Sequence, residues 1–315
     1  MTTGSMAGRR PSDRPAPAAA HGGGFGDDPL WRWATFAPSL LLMLALSVLP
    51  IVNLAAMSFF VVRWAEGAAV WRPVGLANYR ALTGDPLVRA GLSNTALFVV
   101  VAVAAQMVLG FALALFCSRI GRGQILYRTI FLLPILIPGI VIGAIWKLLF
   151  NYDFGLINQA LALFGVRPHD WLGSSGTALL SVIIVDIWHW TPFCFLLMLA
   201  AIESLPQEVY EASKVDGASG WQELWWITLP MLWPAILVTL AFRAMTAVKV
   251  FDEVYLLTGG GPGTATEVVS FTIYRRFFTE DRLGYGSALA TAAVFAVALV
   301  VTLALTVRRR EGTGR

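Results

Sequence analysis

The sequence predicts an all-α, polytopic membrane protein with six transmembrane helices. Of its 315 residues, 57% are apolar and 13% are charged, and this is about half the ~25% charge of a soluble domain. Six apolar stretches are long enough to cross the ~30 Å hydrocarbon core of a bilayer. Because lipid leaves unpaired backbone groups unsatisfied, such stretches form helices. A large soluble helical protein is disfavoured, since its helices would show far more amphipathic patterning.

The predicted spans occupy most of the chain. They are residues 34–62, 92–117, 129–150, 177–202, 231–257 and 283–307. The segment 1–33 is rich in Pro, Ala, Gly and Arg without apolar periodicity, which predicts a disordered cytoplasmic tail. The stretch that follows is too long for the apolar part of a signal peptide. We therefore expect a tail, a six-helix membrane domain at 34–307 and a short cytoplasmic C-terminal tail at 308–315.

The distribution of Lys and Arg predicts the orientation. Six spans put both termini on one side of the membrane. With the N-terminus inside, twelve Lys and Arg fall in inner segments and eight in outer ones. This bias favours cytoplasmic termini. The pI of 9.3 follows from this flanking charge, and no basic patch with interleaved aromatic residues indicates nucleic-acid binding.

No motif predicts an enzyme, a metal site or a bound cofactor. Cys117 and Cys194 both lie in predicted spans, without disulfide or metal-type spacing, and are expected to be small core hydrophobes. The three histidines form neither H-E-x-x-H nor H-x-x-E-H, and no G-x-S-x-G elbow occurs. The glycines at 259–263 lack the lysine of a phosphate-binding loop. Catalytic residues and metal ligands are therefore not expected.

A polar island separates the fourth and fifth spans. It contains the run EVYEASKVDGASGWQELWWITLP at 208–230. Ser204 and Gln207 have the spacing of a capping box, and Pro206 suits the first turn of a helix, where its missing N–H has no cost. A membrane protein that keeps such an island between two spans offers a docking surface to a partner in water.

The same island predicts a turn between two helices. The first helix is expected to run to about Asp216 and to end at Gly217, which can adopt the left-handed conformation. Ser219 and Gln222 repeat the capping pattern, so that a second helix enters the next span before Pro230. The expected structure is a helix–glycine–helix elbow at the membrane surface. Spacing alone is equally compatible with an ordinary interfacial loop.

The island resembles the coupling loop of permease subunits in binding-protein-dependent ABC importers. Residues at the spacing of the motif E-A-A, then G, then I-x-L-P are Glu211, Ala212, Gly217, Ile227, Leu229 and Pro230. Ser213 replaces the second Ala, which exchanges one small residue for another. The runs VFDEVYLLTGGGPG at 250–263 and GLANYRALTGDP at 75–86 resemble two further stretches of sugar permeases. The likeness extends from about residue 34 to 307.

The resemblance implies the ABC importer type I permease fold and a location in the bacterial inner membrane. It also implies three partners: a second homologous permease, two copies of a cytoplasmic ABC ATPase that holds Mg-ATP, and an extracytoplasmic binding protein. In the family the elbow fits a cleft on the ATPase. The residues expected to couple to the ATPase are Glu208, Glu211, Ala212, Asp216, Gly217, Ile227, Leu229 and Pro230.

Ionisable residues inside spans indicate the transport path, because such groups are expensive in hydrocarbon and face the bundle interior or a wet cavity. Asp186 and His189 lie one turn apart in the fourth span, and Arg243 lies in the fifth. Counting ~1.5 Å per residue places Asp186 and Arg243 at similar depth. A structural ion pair and a substrate role are both open at this point. Further charged residues near the outer end of the fifth span are Lys249, Asp252 and Glu253.

Resemblance to the larger maltose permease subunit adds candidates. Its sugar-contacting positions correspond here to Gly139, His189, Trp190, Phe193, Arg243, Ala247 and Val250. The last three are spaced four and three apart and so are expected to share a helix face. Trp190 is far larger than its counterpart and Arg243 is charged, so the pocket is not expected to be a maltose pocket. Only the six-span core of that subunit has a counterpart here.

The predicted function is therefore the first-type permease subunit of a carbohydrate importer. One alternative is an importer of glycerol phosphate or another polyol phosphate, for which Arg243 would supply the counter-charge. An alternative of another class is a secondary transporter that works alone. The elbow disfavours it, because a secondary transporter has no ATPase to dock.

Overall fold

The computed structural model describes residues 29–312 except 66 and 122. In this part the chain forms thirteen helices and one β-hairpin. The helices are α1 (Pro29–Met57), α2 (Ala77–Gly84), α3 (Pro86–Arg119), α4 (Gln124–Leu132), α5 (Gly139–Leu149), α6 (Leu156–Ala162), α7 (Ala178–Glu203), α8 (Gln207–Val215), α9 (Gly220–Glu223), α10 (Leu229–Ala247), α11 (Asp252–Leu257), α12 (Val269–Tyr274) and α13 (Leu283–Gly312). The strands are β1 (Phe60–Ala65) and β2 (Ala68–Pro73). Short segments of tighter or wider helix are Leu133–Leu136 (3₁₀), Leu224–Thr228 (π) and Arg275–Thr279 (π).

The helices confirm a polytopic membrane protein. Those long and apolar enough to cross a bilayer are Trp33–Met57, Pro86–Arg119, Ala178–Glu203 and Gly220–Ala247. A bent pair, Gln124–Leu136 with Gly139–Leu149, makes a fifth if it is counted as one span. The predicted sixth span, 283–307, lies within α13, and Leu283–Leu299 of this helix is apolar. Of the predicted tails at 1–33 and 308–315, residues 1–28 and 313–315 lie outside the described residues, whereas 29–33 belong to α1 and 308–312 to α13.

The chain divides into two compact units at residues 53 and 54. The described part of the first unit is the start of α1, whose apolar side chains are exposed, as Leu46 is at 70%. The predicted first span, 34–62, is wrong at its end, because helix α1 stops at Met57. Residues from Phe60 onward instead pair their backbone groups across the hairpin, Phe60 with Pro73 and Ala65 with Ala68. The pattern of apolar residues alone did not separate the strand from the span.

The predicted third span, 129–150, is not one straight helix. Its two parts meet at an angle of 94°. Pro134 is the second residue of the 3₁₀ turn, and Pro138 is the N-cap of α5. Proline lacks the N–H of the helix ladder and disfavours the helical conformation of the residue before it. Two prolines this close therefore break the span, and α5 can lie beside α11.

The predicted fifth span, 231–257, is wrong at both ends. The helix begins earlier, because α9 continues through the π segment Leu224–Thr228 into α10. It ends at Ala247, and residues 248–251 are not helical. The chain then forms the short helix α11. This break places backbone and side chains of 248–251 beside the cavity described below.

Packing of α3 against α7 forms the centre of the second unit. A Cβ on Gly110 would lie 2.6 Å from the Cβ of Cys194, so only glycine permits this approach of the two helices. Cys117 and Cys194 are free and buried, and Cys117 packs among the apolar side chains of α7. Their predicted role as core hydrophobes is confirmed.

The N-terminus of α3 is tied to α13. The Asp85 carboxylate caps α3 by accepting from the backbone N–H of Leu87 (2.9 Å), and it also accepts from the Tyr285 hydroxyl (2.6 Å) and from Arg276 (2.6 Å). Burial acts to raise the pKa of Asp85, but these hydrogen bonds and the Arg276 charge together lower it. The ionised carboxylate is therefore the form that holds the two helices.

Candidate functional site

A cavity of about 300 Å³ lies beside the middle of α7, among the start of α5, the end of α10 and the start of α11. Predicted path residues that line it are Gly139, Asp186, His189, Trp190, Arg243 and Val250. Lining residues outside the predicted path set are Thr246 and Phe251, together with Lys249, Asp252 and Glu253, which the sequence marks only as charged residues near the outer end of the fifth span. The structure thus brings together most of the predicted set, and the break at 248–251 contributes several of the additional residues.

A hydrogen-bonded ion pair forms one wall of the cavity. The Arg243 guanidinium donates to the Asp186 carboxylate, and the two side chains are 1% and 2% exposed. Its Nε also donates to Oε1 of Gln106 (2.7 Å), and Nη1 donates to Oγ1 of Thr246 (3.1 Å). Gln106 completes the network by donating to Oδ2 of Asp186 (2.8 Å). The predicted similar depth of Asp186 and Arg243 agrees with this contact, and the pair joins α7 to α10 with α3 as a third member.

A second polar contact joins α7 to α11. Nδ1 of His189 lies 3.1 Å from Oε1 of Glu253, and both residues are buried. Trp190 follows His189 in sequence, and its ring lies 5.0 Å from the Arg243 guanidinium carbon, in the range of a cation–π contact. The cavity therefore combines aromatic surface with hydrogen-bonding groups.

Gly139 begins α5 at a point of close approach. A Cβ at this position would lie 2.9 Å from Oδ2 of Asp252. The absence of a side chain lets the Asp252 carboxylate lie against the N-terminal turn of α5. Gly139 thus contributes to the cavity because it has no side chain, and it offers no side-chain polar group.

Two predicted path residues lie outside the cavity. Ala247 is 1% exposed and belongs to the apolar core. Phe193 stacks on Phe242, with ring centroids 5.0 Å apart. Val250 lies beyond the end of α10, so the predicted helix face shared by Arg243, Ala247 and Val250 does not exist.

Gln106 is a site residue that the sequence analysis did not predict, because it is polar but not ionisable. It is fully buried on α3 and contacts both members of the ion pair. The signal was present, since Gln106 is the one amide in the apolar run 96–117 of the second predicted span. A polar group in that place needs partners, because its burial without hydrogen bonds is costly.

The polar island forms the predicted elbow, residues 203–230. Its first limb is α8, and its second limb is α9 with the π segment that follows. The predicted capping box of Ser204 with Gln207 is wrong. Ser204 is instead the C-cap of α7 and donates to the carbonyl of Ala201 (2.8 Å), while Pro206 is the N-cap of α8. Because α7 extends to Glu203, Ser204 caps the end of α7 and does not cap the start of α8.

The turn of the elbow agrees with the prediction. Asp216 is the C-cap of α8, and Gly217 has a φ of +77°. The N–H of Ala218 donates to the carbonyl of Ser213 (2.9 Å), and that of Gly217 to the carbonyl of Lys214 (3.1 Å). These two bonds form a Schellman motif, which satisfies the last carbonyls of α8. The capping box of Ser219 with Gln222 then starts α9 as predicted.

The two limbs of the elbow are linked. The Tyr210 hydroxyl on α8 lies 3.2 Å from Oγ1 of Thr228, which itself donates to the carbonyl of Glu223 (3.2 Å). Ser213, which replaces the second alanine of the motif, is buried and donates to the carbonyl of Tyr210 (2.9 Å). The contact therefore joins α8 to the residue that directly precedes α10.

The predicted coupling residues fall in two groups. Those on α8 and its turn are exposed: Glu208, Glu211, Ala212, Asp216 and Gly217. Val215, next to them, is 87% exposed. Ile227, Leu229 and Pro230 lie in the helix that enters the membrane, with Pro230 in the first turn of α10. The exposed residues on α8 are placed to contact a partner. Ile227, Leu229 and Pro230 are placed to carry a movement of the elbow into the membrane span.

Comparison with known proteins identifies the family. Residues 106–310 match the family described as binding-protein-dependent transport system inner membrane component. The chain is 38% identical over 217 residues to the trehalose/maltose transport system permease protein MalF of Thermococcus litoralis, covering 69% of this chain and 73% of that protein. It is 34% identical over 275 residues to the sulfoquinovosyl glycerol transport system permease protein SmoG of Agrobacterium fabrum, covering 87% and 89%.

A solved structure has the same fold. It is a bacterial ABC transporter involved in the import of the acidic polysaccharide alginate, with a TM-score of 0.78 at 24% identity over 90% of this chain and 99% of that chain. A structure of the alginate transporter in complex with an alginate pentasaccharide-bound periplasmic protein has a TM-score of 0.79 at 23% identity, over 89% and 94%. The family match covers more than half of the 315 residues. The chain therefore belongs to the family of inner membrane components of binding-protein-dependent transport systems, and it is a transport permease rather than an enzyme.

Proposed function

We propose that this permease and a second, homologous permease together form the path of an ATP-driven importer for a carbohydrate. The observation that carries the proposal is the elbow, which exposes Glu211, Ala212 and Val215 on a short helix tied to a membrane span. The names of relatives support the carbohydrate class, since they refer to trehalose, maltose and sulfoquinovosyl glycerol. The complex of the similar alginate transporter with a periplasmic protein supports delivery by an extracytoplasmic binding protein.

In this proposal two copies of a cytoplasmic ATPase supply the energy. One of them docks on α8 of this chain, and the other docks on the second permease. Mg-ATP is held by the ATPase, and this chain binds no cofactor. Closure of the ATPase on ATP moves α8, and the Tyr210–Thr228 contact carries that movement to α10. The spans then change from inward-facing to outward-facing, and hydrolysis resets them.

The cavity is the proposed sugar site. Trp190 and Phe251 offer aromatic surface to the apolar face of a sugar ring, and His189 and Lys249 offer groups that hydrogen-bond hydroxyls. Arg243 contributes mainly by holding Trp190 and Asp186 in place. This role differs from that of a counter-charge, and it favours a sugar over a polyol phosphate.

We also propose that both termini are cytoplasmic, which puts the elbow inside and the turn between α11 and α12 outside. Cysteines placed singly at Ser219 and Thr264, with Cys117 and Cys194 replaced by Ala, test this. Both positions are exposed. A membrane-impermeant maleimide added to intact cells should label residue 264 alone, and residue 219 should react only after the membrane is opened. Labelling of both positions in intact cells would contradict the orientation.

The importer and a lone secondary transporter differ in their energy source. Proteoliposomes that contain this chain, the second permease and the ATPase should take up sugar only with internal ATP and the loaded binding protein. Uptake should persist when a protonophore removes the proton gradient, because ATP hydrolysis drives it. Liposomes with this chain alone serve as the control and should take up nothing. Gradient-driven uptake by this chain alone would instead establish the secondary transporter.

A further inference from the structure

The charged groups that line the cavity comprise one ion pair and three further charged side chains. Among the described residues, the charged side chains that line the cavity are Asp186, Arg243, Lys249, Asp252 and Glu253. Asp186 and Arg243 neutralise each other at 1% to 2% exposure. Each of the three guanidinium nitrogens of Arg243 already donates to a protein acceptor. An anionic ligand that took Arg243 would leave the buried Asp186 carboxylate without its partner.

The remaining charges favour carboxylate over ammonium. With His189 counted as neutral, Asp252 and Glu253 carry two negative charges, and Lys249 carries the one positive charge. Glu253 is 5% exposed and contacts the ring of His189, which holds its carboxylate at the cavity wall. Lys249 and Asp252 are exposed and make no ion pair within the described chain. In a confined space with low-dielectric walls, such an excess of negative charge strongly changes the electrostatic energy of a charged ligand.

We propose that the cavity selects against anionic ligands and that Asp252 and Glu253 determine this selection. The proposal deepens the proposed function, on which it rests, by assigning an uncharged polyhydroxylated substrate. Such a ligand is indifferent to the net charge, and its hydroxyls donate to the two carboxylates and accept from Lys249. A carboxylated, sulfonated or phosphorylated sugar would meet two like charges for each opposite one.

The test uses charged thiol reagents, because it then needs no knowledge of the sugar. In the full chain with Cys117 and Cys194 replaced by Ala, Val250→Cys puts a thiol on the cavity wall, and Thr264→Cys is the exposed reference. Rates are measured with a trimethylammonium-ethyl and a sulfonato-ethyl methanethiosulfonate. The ratio of the cationic to the anionic rate at Val250→Cys is divided by the corresponding ratio at Thr264→Cys. This normalised ratio should be about ten.

Substitutions then identify the source of the selection. Asp252→Asn and Glu253→Gln should each reduce the normalised ratio towards one. Asp153→Asn is the matched control, since it removes an exposed carboxylate outside the cavity and should leave the ratio unchanged. If Glu253→Gln fails to fold, Asp252→Asn decides, because Asp252 is exposed. If Val250→Cys reacts with neither reagent, the same ratio is measured at Phe251→Cys.

A normalised ratio of one or below, or a ratio that neither carboxylate variant lowers, would overturn the proposal. The rates do not depend on transport. A failure of the importer function in the proteoliposome assay therefore leaves this result readable, and a failure of the charge selection leaves the importer function standing.

Discussion

Arg243→Ala is expected to remove most of the folded protein from the membrane. The change leaves the Asp186 carboxylate, 2% exposed, with Gln106 but without its cation. Removing one partner of a buried ion pair costs about 3–5 kcal/mol, which is comparable with the net stability of many domains. Uptake should fall with the amount of folded protein. Abundance is measured by size-exclusion chromatography of detergent-solubilised protein carrying a fluorescent tag.

The double variant Arg243→Ala with Asp186→Ala should recover much of the abundance, because no uncompensated charge remains. Uptake should recover less, since the cavity has lost the cation that holds Trp190. Arg80→Ala is the control, because Arg80 is exposed and such substitutions usually change stability by less than about 0.5 kcal/mol. Normal abundance of Arg243→Ala with strongly reduced uptake would instead assign Arg243 to the substrate. Normal uptake would exclude both roles.

Gly217→Val is expected to abolish uptake while the protein remains inserted. Gly217 has a φ of +77°, and a Cβ there would meet no neighbour within 4 Å. The penalty therefore comes from the backbone, where the left-handed conformation costs an ordinary residue about 1–2 kcal/mol and a β-branched one more. Losing this turn separates the exposed face of α8 from the start of α9. Uptake and membrane abundance are measured together.

Two control variants make this result specific. Gly220→Ala places a Cβ in open space at the first position of α9, without a positive φ, and should transport normally. Glu211→Lys changes only an exposed charge on α8 and should weaken ATPase binding without loss of folded protein, whereas Asp153→Lys reverses an exposed charge elsewhere and should not. Full uptake by both Gly217→Val and Glu211→Lys would show that the elbow is not the coupling element.

Local rules of backbone geometry predicted the elbow well. The positive φ at Gly217 and the capping box at Ser219 both follow from residues within a few positions of each other. The predicted capping box of Ser204 with Gln207 does not form, because Ser204 is the C-cap of α7. The position at which α7 ends depends on its packing. Sequence signals of capping are thus reliable where no neighbouring element competes for the same residue.

Span boundaries were harder to predict because apolar composition does not encode helix breaks. The bend of the third span had a visible cause in Pro134 and Pro138. The break after Ala247 has no proline that would indicate it. It lies beside a cavity that Lys249 and Asp252 line together with residues of other helices. The hairpin that begins at Phe60 depends on pairing with the strand that follows directly in sequence, and apolar composition does not indicate such pairing.

The candidate cavity was predicted in part. Asp186 and Arg243, which were found from their charge, do form a pair, and His189 lines the same cavity but contacts Glu253. Buried ionisable groups require such partners. Gln106 and Glu253 complete those contacts from α3 and α11. Their roles could not be assigned before the helices were placed side by side, since neither lies near its partner in sequence.

The central claim is that the exposed face of α8 docks an ATPase. A photo-crosslinking benzoylphenylalanine in place of Val215, which is 87% exposed, tests it most directly. The same group at Val166, 47% exposed and outside the elbow, is the control. In membranes that contain the whole importer, irradiation should join residue 215, but not residue 166, to the ATPase subunit, as read by mass spectrometry. Crosslinks from residue 215 to lipid or to the second permease alone, with none to the ATPase, would contradict the account.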